Sequence, residues 1–263
     1  MVLMSIRMKR NRMGDQIMSK IIPKYLGVTF LISYALWGTI IVANLFGYLK
    51  FGTPVCMIFF LLGAFGPTVS SYIVQKQAGR VAGFKDFMKQ TFRLKAPFLS
   101  YGLVLFYLLL YFIYPAISGK ITLGLPIYIS ILMIPLMLFG GGMEEVGWRW
   151  VLQPELEKIL PFGVATVTTS LIWTVWHLPL FFIQGSSQSY VNFWAFLILL
   201  IGFSFAQATL YSYSKNIWLS VLLHCSLNAL PSSLVFKESI PTNTVISILM
   251  IVAALLVRNA RKE

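Results

Sequence analysis

The chain has 263 residues, 58% of them hydrophobic and 11% charged, with a formal net charge of +13 and a mean hydropathy of +0.79. Soluble globular domains carry a charged fraction of about 25%, so these values exclude that class and point to a polytopic membrane protein. The basic excess raises nucleic acid as a partner, but its distribution along the chain argues for another explanation.

Residues 1–24 form a basic segment expected in water or at the headgroup surface. Apolar runs follow near 25–48, 54–75, 97–117, 123–143, 162–184, 191–213, 216–236 and 240–257. Each is close to the ~20 residues with which a helix crosses hydrocarbon. The expectation is an all-α membrane bundle of about eight transmembrane helices in one domain, 25–257, followed by a tail, 258–263. The first run is too long for a signal-peptide core and lacks a small-residue cleavage site, so it reads as a retained span. The polar segment 75–97 contains Phe84-Lys-Asp-Phe-Met-Lys-Gln-Thr-Phe-Arg-Leu-Lys-Ala96, which is amphipathic if helical. An interfacial helix and an ordinary loop are equally good readings of it. The fourth run is expected to continue as helix through Glu144 and Arg149. Cys56 and Cys225 both lie in apolar runs, where a thiol behaves as a small hydrophobe, and no disulfide framework is expected.

Lys and Arg placement tests the span count. With the N-terminus set in the cytoplasm and loops assigned alternately, 18 of the 21 Lys and Arg residues fall inside. Only Lys50, Lys120 and Lys237 fall outside. Such asymmetry is the positive-inside pattern, and it predicts that both termini are cytoplasmic. It also removes the need for nucleic acid, because the basic face meets anionic lipid headgroups.

Against this background, Gly140-Gly-Gly-Met-Glu144-Glu145-Val-Gly-Trp148-Arg149 stands out, since it sets two of only eight acidic residues at the end of an apolar run. Ionisable residues in membrane segments are costly and mark function by default. Arg149 lies four residues after Glu145, on the same helix face, which leaves Glu144 without a local partner. Both histidines also fall inside spans: His177, four after Trp173, and His224, four before Asn228. A lone membrane histidine is equally well explained by an interhelical hydrogen bond worth ~0.6–2 kcal/mol, and Glu145–Arg149 by a structural ion pair. Five such residues together are harder to attribute to structure alone. A carboxylate beside an imidazole can deprotonate water, while a second histidine and an amide can donate to an oxyanion. The alternative for the same residues is zinc bound by Glu144, His177 and His224, although the soluble HExxH signature is absent.

These three motifs, Glu144-Glu145-x-x-x-Arg149, Trp173-x-x-x-His177 and His224-x-x-x-Asn228, resemble those of the CPBP/Abi family of intramembrane CAAX and bacteriocin-processing proteases. The resemblance covers roughly residues 120–235. It implies an endopeptidase acting on a membrane-associated protein or peptide, with Glu144 and His177 activating water and His224 and Asn228 holding the oxyanion. Glu145, Arg149 and Trp173 would support them. Prenylated CAAX tails are the substrates of eukaryotic and archaeal relatives, and pheromone or bacteriocin precursors are candidates in bacteria. The resemblance further implies no required cofactor, with zinc as the alternative, and a bacterial plasma-membrane protein whose site opens to the cytoplasm. Two positions depart from the family pattern. Trp150 stands where Gly is usual, which is expected to narrow the cytoplasmic mouth, and Trp173 replaces the usual Phe. The competing readings are a non-catalytic immunity or scaffold protein and a proton-coupled transporter. The latter would show broken helices and an inverted repeat.

Overall fold

A computed structural model describes residues 2–260, with side chains described from residue 21 onward. The side chains of the basic segment up to Lys20 and the tail residues Arg261, Lys262 and Glu263 lie outside the described residues. The chain is almost entirely helical. In order it forms α1 (Val2–Leu45), α2 (Pro54–Ala64), α3 (Gly66–Gln77), α4 (Phe84–Thr91), α5 (Phe98–Ile117), β1 (Thr122–Leu123) and α6 (Ile127–Met133). Then come α7 (Glu145–Gly147), α8 (Gln153–Leu156), α9 (Phe162–His177), α10 (Phe193–Ser214), α11 (Ile217–Ala229), β2 (Leu234–Val235) and α12 (Ile240–Ala260).

Six described segments are long and apolar enough to cross a membrane: Ile21–Leu45, Pro54–Gln77, Phe98–Ile117, Phe162–Phe182, Phe193–Ser214 and Ile240–Ala260. The other two apolar runs take different forms. The seventh is a shorter helix, Ile217–Ser232, whose regular α-helical part stops two residues before Pro231. The fourth is not the continuous helix expected. After α6 it proceeds through 3-10 turns at Leu136–Leu138 and Gly142–Glu144, then α7, a π-helical turn at Trp148–Leu152, and α8. Pro135 lacks an N–H donor, and each residue of the Gly140–Gly142 run lowers helix stability by about 1 kcal/mol relative to Ala.

Irregular backbone in an apolar setting needs partners for its carbonyls, and α3 supplies them. Thr68 Oγ1 donates to the Met143 carbonyl at 2.8 Å and Ser71 Oγ to that of Val146 at 2.9 Å. On the other side, Trp176 Nε1 of α9 donates to Ser33 Oγ of α1 at 2.8 Å, and that hydroxyl donates to the Gly63 carbonyl of α2 at 2.7 Å. Trp37, Trp148 and Trp176 are fully buried in the core shared by these elements. A second core joins α5, α10, α11 and α12 through Tyr107, Leu210, Leu219, Ile246 and Met250.

Loop contacts define two faces. One gathers the segments after α3, around α8, after α10 and at the end of α12. There Arg80 pairs with Glu155 at 2.5 Å, Asn216 Nδ2 donates to the Arg93 carbonyl at 2.9 Å, and Arg258 donates to Ser212 at 3.3 Å. The opposite face gathers the remaining loops. On it β1 and β2 pair antiparallel, Thr122 opposite Val235 and Leu123 opposite Leu234, and Phe51 packs against Gly185. The amphipathic stretch in 75–97 is helical as α4, and it docks on the first face by stacking Phe87 on Trp150, with ring centroids 5.4 Å apart.

Candidate active site

The broken fourth run, α9 and α11 each bring one motif to a common point. At that point Gly141 adopts φ +128°, a left-handed conformation open to glycine and strained for any L side chain. A Cβ added there would lie 2.9 Å from Asn228 Nδ2, 2.9 Å from His224 Nε2 and 3.2 Å from Glu144 Oε1. One carboxylate oxygen, one imidazole nitrogen and one amide nitrogen therefore face a single space that only glycine leaves open. The next residue, Gly142, allows the turn to lie against Cys225, whose Sγ occupies the position a side chain would need.

Each of these groups is oriented from behind. Glu144 Oε2 accepts from Trp173 Nε1 at 2.9 Å, leaving Oε1 toward the open space. His177 Nδ1 lies 2.9 Å from the Trp173 carbonyl. A carbonyl only accepts, so Nδ1 carries the proton and the other ring nitrogen, Nε2, faces Glu144. Nε2 is 3.8 Å from Glu144 Oε2, too long for a direct hydrogen bond but short enough for both groups to touch one small molecule lying beside them. His224 Nδ1 is 2.8 Å from Glu145 Oε1, an arrangement that fixes the ring and directs Nε2 to the open space. Asn228 Nδ2 donates to the Gly140 carbonyl at 2.9 Å, and its second N–H remains available.

Behind this front lies a buried ionic group. Arg149 Nε donates to Glu145 Oε2 at 2.8 Å, with both side chains fully buried. Arg149 Nη2 reaches Ser204 Oγ at 3.2 Å, and the guanidinium stands 5.1 Å from the Trp173 ring centroid. Glu145 thus serves two cations or donors, Arg149 and His224. The i,i+4 spacing of Glu145 and Arg149 was legible in the sequence, but the Glu145–His224 bond, the Trp173–Glu144 bond and the role of Ser204 were not. They join residues 29 to 79 positions apart, and no local pattern signals them.

Glu144, His177, His224 and Asn228 line a cavity of about 390 Å³. Its wall continues past Leu199 and Phe203 to Ser187, Gln188, Pro231 and Glu238, which belong to the loops of the second face. These lining loops lie on the face opposite the basic loops. His177 stands only five residues from Phe182, at the far end of its helix, so the motifs gather in the half of the bundle remote from the basic loops. Trp150 likewise does not narrow this cavity. It stacks on Phe87 and lines a separate cleft with Arg80, Glu155 and Tyr211. At the rim, Glu238 accepts from Tyr111 Oη and Asn243 Nδ2, each at 3.4 Å, and burial holds its carboxyl above the usual carboxylate range.

Among the described residues, no three His, Cys, Asp or Glu side chains form a group suited to a metal ion. The bond from His224 Nδ1 to Glu145 leaves Nε2 toward the open space, an orientation that suits a hydrogen-bond donor and a metal ligand alike.

Comparison with known proteins matches residues 126–230 to the type II CAAX prenyl endopeptidase Rce1-like family. The motif-bearing region is thus similar to the CAAX protease family. The chain is also similar to the protein described as CAAX prenyl protease 2 of Methanococcus maripaludis, 28% identical over 184 residues. That match covers 63% of this chain and 65% of the archaeal protein, so the chain spans somewhat less than two thirds of its relative's length. All three motifs fall within the family-matched residues 126–230, the segment that also carries the converging side chains.

Proposed function

We propose that this chain is a CAAX-protease-family intramembrane endopeptidase that hydrolyses a peptide bond in a membrane-associated protein or peptide. The observation that carries the reading is the convergence of Glu144, His224 and Asn228 on the space beside Gly141, with His177 next to Glu144. Glu144 takes a proton from the attacking water, with His177 Nε2 accepting a hydrogen bond from the same water. His224 Nε2, protonated while Nδ1 is bound to the Glu145 carboxylate, and the second N–H of Asn228 donate to the oxyanion of the tetrahedral intermediate. Glu144 then returns the proton to the departing amine. Glu145, Arg149 and Trp173 hold these groups in place. No step requires a cofactor, and quantifying zinc per mole of purified protein decides between this glutamate mechanism and one using zinc.

Eight crossings accompany this reading, with the fragmented segment 126–156 and the short helix Ile217–Ser232 making the fourth and seventh and with both termini cytoplasmic. CAAX-type processing, peptide maturation and self-immunity all remain within this substrate class.

The test is cleavage of candidate membrane-anchored peptides by wild type and by Glu144→Gln, His177→Ala and His224→Ala, each purified and confirmed as folded. Loss of a general acid–base group costs on the order of 10²–10⁴ in rate, and this is the effect expected for Glu144→Gln. Full retention of biological function by all three variants would instead support a scaffold or transport role and reject the protease.

A further inference from the structure

We propose that Glu238 is a specificity-determining residue of the cavity, and that its carboxylate receives a basic side chain, Lys or Arg, of the peptide that occupies the site. The inference rests on the protease reading for what happens to that peptide, but the charge preference is a property of binding alone.

Glu238 differs from the other enclosed acidic residues in what it faces. Glu145 is bonded to Arg149 at 2.8 Å, Glu155 to Arg80 at 2.5 Å and to Lys158 at 2.7 Å, and Glu157 lies 3.9 Å from Arg258. Glu238 is half-buried, yet it accepts only from the neutral Tyr111 Oη and Asn243 Nδ2, both at the long distance of 3.4 Å. The Lys120 ammonium donates instead to Tyr114 Oη and Thr242 Oγ1, each at 3.3 Å. Burial with no nearby charge to offset it holds the Glu238 carboxyl above its ordinary range. A purely structural joint between Tyr111 of α5 and Asn243 of α12 needs only an acceptor, which Gln would supply without desolvating a charge. A cation arriving with the ligand accounts for the carboxylate.

The rest of the cavity fits such a ligand. Its lining includes two carboxylates, Glu144 and Glu238, and no guanidinium or ammonium group to repel a cation. Glu238 is also close to the reacting groups. The Phe196 ring of α10 is 5.1 Å from that of His177. The carbonyl of the preceding Ala195 accepts from Asn243 Nδ2 at 3.0 Å, and the same amide donates to Glu238. A basic side chain a few residues from the scissile bond can therefore reach Glu238 while the backbone passes Glu144, each extended residue adding ~3.3 Å. Phe196, Leu199 and Phe203 supply an apolar wall beside this path. The peptide class is thus an apolar sequence carrying an isolated Lys or Arg.

Binding tests this without cleavage. The full chain carrying Glu144→Gln, which halts turnover and leaves Glu238 as the carboxylate of the lining, is placed in nanodiscs of neutral phosphatidylcholine. Leucine-rich heptapeptides with blocked ends and Lys, Gln or Glu at the centre are titrated against its tryptophan fluorescence, since Trp37, Trp173 and Trp176 line the cavity. Empty nanodiscs give the background. The Lys peptide is expected to bind on the order of ten-fold tighter than the Gln peptide, the size of one charge-assisted hydrogen bond, and the Glu peptide weakest. Adding Glu238→Gln should abolish that order while leaving the melting temperature near that of the Glu144→Gln parent. A preference that survives Glu238→Gln, or an equal loss of affinity for all three peptides, as a structural joint would give, overturns the proposal. So does equal or absent binding of the three by the Glu144→Gln chain, which is read even where Glu238→Gln fails to fold. A chain that prefers the Lys peptide but, with Glu144 restored, cleaves nothing keeps this site and loses the protease reading. One that cleaves peptides without regard to their charge keeps the protease and loses the proposal.

Discussion

The residue that most constrains this site is not one of its ionisable groups but Gly141. Its φ of +128° and the convergence of three polar atoms within 3.2 Å of its absent side chain make two separate demands. Gly141→Ala should therefore fail twice: a strained backbone costs roughly 1–3 kcal/mol, and the methyl group occupies the space where the reacting carbonyl would lie. The expected outcome is a folded protein of lowered melting temperature with no measurable cleavage, whereas unchanged turnover would separate this space from the chemistry. Arg149 shows a different dependence. Its partner Glu145 is fully buried, so Arg149→Ala leaves that carboxylate with His224 in place of two partners, at a cost of up to about 3–5 kcal/mol. Thermal unfolding in detergent should register that loss. The paired change Glu145→Gln with Arg149→Met should recover much of the stability but not the activity, because His224 then loses the carboxylate that orients it.

At the scale of elements, the broken fourth run explains how carboxylates reach the middle of the bundle. A regular helix through Glu144 would carry the Met143 and Val146 carbonyls along its own axis, each already bonded within the helix. The 3-10 and π turns instead expose the Met143 and Val146 carbonyls to those hydroxyls, and α3 clamps the motif in position. The amphipathic α4 has its own anchor in the Phe87–Trp150 stack, remote from the cavity. Trp150→Gly should loosen α4, seen as faster proteolysis within 79–97 in inside-out vesicles, while kcat stays within about threefold of wild type. Abolished cleavage with α4 still protected would mean that Trp150 acts on the site directly.

At the scale of the whole molecule, the proposed eight-crossing arrangement would put residue 123 and residue 158 on opposite sides of the membrane although no single regular helix joins them. Reporter fusions after Leu123 and after Lys158 should give opposite results, the first active as an extracytoplasmic phosphatase and the second not. Equal results would mean that the fragmented segment enters and leaves on one side. The sequence by itself determined the membrane class, the segregation of basic residues and the identity of the three motifs, because hydropathy, charge and i,i+4 spacing are local quantities written along the chain. It could not determine that the fourth run breaks, that Glu145 holds His224 or that Trp173 holds Glu144. Those depend on which helix ends lie side by side and how deep each motif sits, and such relations arise only when α1, α3, α9 and α11 close around the glycine turn at 140–142.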